Sequence, residues 1–232
     1  AAAPIALLVI RLAQAFSAGG EWGVAISFVS EWSPPGQRGF RMSFLSLSVT
    51  LGSLAATSIS AVMMTLLSPV QMLDWGWRIP CLLGGALGAV IFWFRYDALE
   101  TPSFPVRMVN MGSPRPRMKR ADIRRMLLAA GLSMHWTVSY YIFIIYFPIF
   151  LNLHDDIAAK RTIWINAVVL VFIAALIPVA GAASDRFGRR PFLKASCLAV
   201  IALAAPLFWL VVASPDIVTV LLAQLCLGTA IA

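Results

Sequence analysis

Apolar residues fill seven stretches of this chain, and most of these stretches are long enough to cross a lipid bilayer as a helix. Short polar or basic segments separate them. Helices are the expected form because lipid offers the backbone no hydrogen-bond partners. We therefore predict an all-α polytopic membrane protein with about seven membrane-spanning helices, at Pro4–Trp32, Met42–Leu67, Trp77–Phe94, Met126–Leu151, Thr162–Ala183, Phe192–Ala213 and Ile217–Ala232, the last one truncated.

Composition supports this prediction, and the positions of the basic residues explain the positive net charge. Hydrophobic residues make up 60% of the chain and charged residues 12%, and the mean hydropathy is +0.86. A net charge of +8 could indicate a nucleic-acid partner, but the basic residues collect in alternate loops. Fourteen lie on one side of the predicted membrane and three on the other, which is the positive-inside pattern. We expect a multi-pass protein of the cell membrane, the bacterial inner membrane, with the lipid bilayer and no nucleic acid as partner.

The longest loop, residues 98–125, is the most basic part of the chain and contains Pro102, Pro105, Pro114 and Pro116. The charge bias places it in the cytoplasm. We predict a flexible linker between two helical bundles, formed by residues 1–97 and 126–232.

The first predicted helix carries charged and polar residues within its apolar sequence. Arg11, Gln14 and Glu21 lie on one sector of an ideal helix at successive depths. Charges at membrane depth are costly and commonly face a partner or a water-filled pathway. The functional interpretation is a transport pathway in which Arg11 attracts an anionic group and Glu21 takes up and releases a proton. The alternative is that both charges pair with other helices and only fix the packing.

The most specific motif runs from Gly181 to Arg190 and reads GAASDRFGRR. It ends one predicted span with a small residue and places an acid, three arginines and a turn glycine in a short cytoplasmic loop. This arrangement suits a charge clasp that pairs differently as two helices rock against each other. As mere topology anchors the arginines would need neither the acid nor the second glycine. The predicted clasp residues are Gly181, Asp185, Arg186, Gly188, Arg189 and Arg190.

Polar and aromatic residues of the fourth and fifth predicted helices could contact a substrate. These candidates are His135, Trp136, Tyr140 and Asn166. The alternative is that the aromatic residues, which follow helical spacing, belong to the bundle core. Small residues spaced four apart, such as Gly19 and Gly23, Gly52 and Ala56, and Gly84 and Gly88, also predict close helix contacts.

The GAASDRFGRR loop resembles the signature loop of the major facilitator superfamily, G-x-x-x-D-R-x-G-R-R, at every defined position. The stretch Arg11–Glu21 resembles that family's fourth-helix motif, associated with proton coupling, although Ala15 replaces an expected glycine. Segments Trp75–Pro80 and Glu100–Phe104 resemble its metabolite:proton symporter branch, which includes carriers of 2-oxoglutarate, citrate, shikimate and proline/betaine.

The resemblance covers essentially the whole chain and aligns it with the family's fourth to tenth helices. It implies a fragment of two six-helix bundles with a substrate site between them near mid-membrane. Residues 1–97 would be the last three helices of the N-terminal bundle, and residues 126–232 the first four of the C-terminal bundle.

We therefore predict a secondary active transporter that couples proton flow to symport of a small polar metabolite, an organic acid or a zwitterion. One alternative is a proton-coupled antiporter, which the absence of proline from Ser46–Ser53 disfavours. Another is a membrane sensor or scaffold without transport activity. No nucleophile–base pair, metal cluster or phosphate loop has usable spacing, so we predict neither an enzyme nor a cofactor or metal. Substrate identity and oligomeric state stay open.

Overall fold

The computed structural model describes residues 2–96, 119–154, 159–214 and 216–231. The helices follow one another along the chain without an intervening strand in these residues, which confirms the predicted all-α class. Two of them, α3 and α4, contain a π-helical turn. The helices are α1 (Ala2–Trp32), α2 (Arg38–Leu66), α3 (Pro69–Gln71, Met72–Gly76 and Arg78–Tyr96), α4 (Arg120–Tyr140, Tyr141–Tyr146 and Phe147–His154), α5 (Ala159–Phe187), α6 (Arg189–Ala213) and α7 (Ile217–Ile231).

Five of the described helices are long and apolar enough to cross a membrane. They contain the segments Arg38–Leu66, Pro69–Tyr96, Arg120–Leu151, Arg161–Phe187 and Arg189–Ala213. The remaining two are α7, which is apolar but shorter, and α1, which carries Arg11, Glu21 and Glu31 within its 31 residues. The polytopic character predicted from the hydropathy pattern is therefore present in the structure.

Helix α4 begins at Arg120, inside the segment that we predicted as a linker. Asp122 explains the early start, because its Oδ2 accepts a hydrogen bond from the backbone N–H of Lys119 at 3.1 Å. A carboxylate in the first turn also faces the positive end of the helix dipole. Residues 98–118 of the predicted linker, including the segment Glu100–Phe104, lie outside the described residues.

The hydrophobic core lies among helices α4, α5, α6 and α7. Its fully buried side chains include Ile144 and Phe147 from α4, Leu170 from α5, Val211 from α6 and Leu227 from α7. Helices α5 and α7 are in close contact at Gly228. A Cβ added at this glycine would lie 2.6 Å from the Ile173 side chain. The aromatic residues Tyr140, Phe143 and Phe147 are all buried and contribute to this core.

Helix α2 packs along α5 more extensively than along α1 or α3. By contrast, α3 has no buried residue in its segment Arg78–Tyr96. Among the described residues the predicted small-residue contacts are not formed at Gly19, Gly23, Gly52, Gly84 and Gly88, since a Cβ added at any of them has no described neighbour within 4 Å. Small residues allow a close approach, but their spacing does not say whether a partner helix is there.

Candidate functional site: the junction of α1 and α2 with α4 and α5

Asp185, from the predicted clasp, caps the first turn of α2. Its Oδ1 accepts a hydrogen bond from the backbone N–H of Gly39 at 2.7 Å, and its Oδ2 accepts one from Phe40 at 2.9 Å. The first N–H groups of a helix have no partner within the helix, and a carboxylate suits the positive end of its dipole. Gln37, at the cap position of α2, makes no side-chain cap. The last turn of α5 therefore completes the start of α2.

Two glycines allow α2 and α5 to approach this closely. A Cβ at Gly39 would lie 2.7 Å from the carbonyl oxygen of Gly181 and 2.5 Å from Ser184 Oγ. A Cβ at Gly181 would lie 2.9 Å from the carbonyl oxygen of Gly39 and 2.7 Å from the Cβ of Ser43. The sequence motif predicted Gly181, but Gly39 was missed because it stands between two arginines in a predicted loop.

The other clasp residues surround this contact. Gly188 is the single residue between α5 and α6, and its φ of +86° is a left-handed conformation that glycine adopts without strain. Arg186, Arg189 and Arg190 are exposed around the same turn. The turn therefore holds the acid at the α2 terminus and leaves the three guanidinium groups accessible. We use the name α2–α5 clasp for Gly39, Gly181 and Asp185.

The polar residues of α1 form two separate contacts instead of one continuous stripe. The guanidinium of Arg11 donates a hydrogen bond to Gln14 Oε1 at 3.1 Å, as their spacing suggested. Glu21 forms an ion pair with Arg95, in the last turn of α3. Both members of this pair are more than half exposed in the described chain. No residue near Glu21 pointed to Arg95, because Arg95 was counted only among the basic residues that follow the third predicted helix.

Trp22 connects α1 to α4 across the two halves of the chain. Its ring is nearly parallel to that of Trp136, with centroids 6.3 Å apart and an interplanar angle of 13°. Trp136 in turn stacks on Tyr140 at 5.5 Å. The Tyr140 hydroxyl donates a hydrogen bond to Ser53 Oγ of α2 at 2.8 Å. Two of the predicted substrate contacts, Trp136 and Tyr140, therefore lie where the first and second halves meet.

Arg11 lies on the same face of α1 as Trp22. Eleven residues separate them, so on an ideal helix they are about 20° apart in direction and roughly 16 Å apart along the axis. The face of α1 that meets α4 therefore continues towards Arg11.

His135 and Asn166 contact neighbours within the second half of the chain. His135 Nε2 lies 3.4 Å from Ser196 Oγ of α6, at the wall of a groove of about 590 Å³ between α4 and α6. Asn166 is buried and accepts a hydrogen bond from Gln224 Nε2 of α7 at 3.4 Å. The sequence reasoning missed Gln224, whose only signal is that it is a lone amide in an apolar helix. Neither His135 nor Asn166 lies at the junction in this structure.

The family is decided by comparison with known proteins. The model of the Major Facilitator Superfamily matches residues 1–232. The chain belongs to the Major Facilitator Superfamily. The resemblance predicted from the GAASDRFGRR loop and the Arg11–Glu21 stretch is thereby confirmed.

Curated members of the Major Facilitator Superfamily are similar over most of the chain. A proline/betaine transporter of Escherichia coli (strain K12) is 33% identical in an alignment of length 221 that covers 90% of this chain and 44% of that protein. A citrate-proton symporter of Klebsiella pneumoniae is 32% identical, with coverage of 94% and 50%. An alpha-ketoglutarate permease of Escherichia coli (strain K12) is 30% identical, with coverage of 81% and 43%. The chain spans about half the length of these relatives, and no solved structure matches it.

Proposed function

We propose that the chain is part of a secondary active transporter that couples proton flow to symport of a small polar metabolite across the cell membrane. The carrying observation is the junction, where Asp185 of α5 completes the first turn of α2 while the aromatic rings of α1 and α4 meet farther along. Such contacts between two halves can form and break as the halves rock. The names of the relatives, which include a citrate-proton symporter and a proline/betaine transporter, support the same activity.

The α2–α5 clasp closes the cytoplasmic side of the pathway in this proposal. The charge bias of the loops supports a cytoplasmic position for the end of α5 and the start of α2. Release of Asp185 leaves two N–H groups of α2 without their acceptor, so opening on this side has a free-energy cost. Arg186, Arg189 and Arg190 are accessible for new ion pairs in the open state.

Glu21 is the proton-responsive group in this proposal, and Arg95 is its counter-ion. The ion pair holds α1 against the end of α3 while Glu21 is ionised. Protonation removes the charge of Glu21 and therefore the electrostatic attraction to Arg95. Arg11, on the α1 face that also carries Trp22, orients a substrate carboxylate.

The test is Glu21→Gln in the complete gene product, reconstituted in proteoliposomes. Counterflow with a panel of organic acids and betaines first identifies a transported substrate, and uphill accumulation is then driven by an imposed pH gradient. We expect Glu21→Gln to abolish accumulation while counterflow continues, because exchange needs no net proton movement.

Glu31→Gln is the matched control, since it removes a carboxylate from the end of the same helix. It should retain accumulation. Undiminished uphill uptake by Glu21→Gln would remove Glu21 from the coupling mechanism, and lack of transport of every panel member by the unmodified protein would contradict the proposed function.

A further inference from the structure

Three aromatic rings from α1 and α4 form a continuous stack at the junction. We call Trp22, Trp136 and Tyr140 the aromatic seam. Trp22 and Trp136 are each partly exposed, whereas Tyr140 is 5% exposed and anchored by its hydrogen bond to Ser53. The seam is thus fixed at its Tyr140 end and open to an incoming molecule at its two indoles.

The electrostatics of these rings favour a cation. The faces of indole and phenol rings carry negative potential, and an ammonium group within about 6 Å of a ring centroid is attracted to them. Glu21 precedes Trp22 in α1 and adds a carboxylate to this part of the helix. The cation of Arg95 is engaged with that carboxylate in the present structure. A polyanion would meet ring faces whose potential has the same sign as itself.

We propose that the aromatic seam binds the ammonium end of a zwitterionic substrate whose nitrogen is quaternary. This inference rests on the proposed transport function and selects between the substrate classes that the names of the relatives contain. A quaternary nitrogen has no N–H to donate, so ring faces suit it better than hydrogen-bond acceptors do. The aromatic seam supplies two indole faces and needs no acceptor for the nitrogen.

The geometry also connects binding to the movement of the two halves. The indoles of Trp22 and Trp136 contact each other at 6.3 Å, so a cation that occupies the space between them must part them. Trp22 belongs to the half before the linker and Trp136 to the half after it. Substrate binding at the seam therefore replaces a contact between the halves with a contact from each half to the substrate.

The test measures uptake of labelled glycine betaine and of labelled citrate by the complete gene product in proteoliposomes under a pH gradient. We expect glycine betaine to be accumulated. Trp22→Leu and Trp136→Leu should each raise its KM about tenfold, the effect of losing one cation–π contact of about 1.4 kcal/mol. Trp136→Phe retains a ring face and should raise the KM much less. Trp209→Leu is the matched control, because Trp209 lies on α6 and is 72% exposed.

A competitor of the same shape separates charge from packing. The tert-butyl analogue of glycine betaine has carbon in place of the quaternary nitrogen. To inhibit uptake of labelled glycine betaine by half, the analogue should need at least a tenfold higher concentration than unlabelled glycine betaine. Equal competition by the analogue, or an unchanged glycine betaine KM in both leucine variants, would overturn the proposal. Accumulation of citrate but not glycine betaine would overturn it while the proposed function stands. Accumulation of neither substrate, nor of any other organic acid or betaine, would contradict the proposed function itself.

Discussion

The polar residues of α1 and the α2–α5 clasp differ in how closely the described neighbours constrain them. Each clasp residue is constrained by a neighbour, since Asp185 holds two backbone N–H groups and Gly39 and Gly181 leave no room for a methyl group. Among the described residues, the polar side chains Arg11, Gln14 and Glu21 of α1 are exposed and their contacts are Arg11 with Gln14 and Glu21 with Arg95. Charged side chains within an apolar helix commonly face a partner or a water-filled pathway, which points to a role in what the protein binds or carries.

From this difference we expect substitutions in the two regions to affect folding stability and transport differently. Changes in the clasp should alter folding stability and transport together, because the same contacts serve both. Changes in the polar residues of α1 should alter transport and leave stability almost unchanged. The following substitutions test this division, from the largest expected effect on stability to the smallest.

Gly181→Ala should have the largest effect. The added Cβ would lie 2.9 Å from a backbone oxygen and 2.7 Å from the Cβ of Ser43, and neither atom can move away without moving a helix. Overpacking of this kind costs about 1–3 kcal/mol. We expect a lower melting temperature in detergent and slower uptake in proteoliposomes.

Gly52→Ala is the control for Gly181→Ala, because it adds the same methyl group to a helix of the same junction with no described atom within 4 Å. Equal melting temperatures for the two variants would show that α2 and α5 are not in tight contact at Gly181.

Asp185→Ala should have the next largest effect, and Asp185→Asn a smaller one. Alanine removes both acceptors of the α2 cap, whereas asparagine keeps one oxygen but loses the charge that faces the helix dipole. We expect Asp185→Ala to lower the melting temperature by about 2–4 °C. It should also increase labelling of a single cysteine introduced at Ser43 by a membrane-impermeant thiol reagent from the cytoplasmic side, in a background without native cysteines.

Asp74→Ala serves as the control, since Asp74 is an exposed acid in the π-helical turn beyond the other end of α2. The clasp interpretation fails if Asp185→Ala and Asp74→Ala show the same melting temperature and the same labelling.

Arg11→Gln should have the smallest effect on stability and a large effect on transport. The Arg11–Gln14 contact is exposed, and surface substitutions of this kind change stability by about 0.5 kcal/mol or less. We expect the melting temperature to stay within 1–2 °C of the unmodified protein. The KM for substrates that carry a carboxylate should rise. A large loss of stability would instead assign Arg11 to packing and remove the contrast with the clasp.

The sequence predicted the helices and the clasp because both signals are local. Span length follows from hydropathy, and the motif around Asp185 and Gly188 lies within ten residues. Partners on other helices were not predictable in this way: nothing near Glu21 identifies Arg95, and nothing near Asn166 identifies Gln224. The glycine spacings did not identify the close helix contacts for the same reason. In the described residues those contacts lie at Gly39, Gly181 and Gly228, each of which is next to a second helix. The π-helical turn Tyr141–Tyr146 also has no sequence signal that we recognised.

The cap of α2 by a residue 146 positions away makes the backbone of this helix a reporter of the state of the protein. While the two halves are closed at this end, the amide hydrogens of Gly39 and Phe40 are bonded to a carboxylate. In the proposed transport cycle, separation of the halves would expose the same two hydrogens to water. The exchange rate of two backbone hydrogens would then report how often the contact between α2 and α5 opens, without any probe attached to the protein.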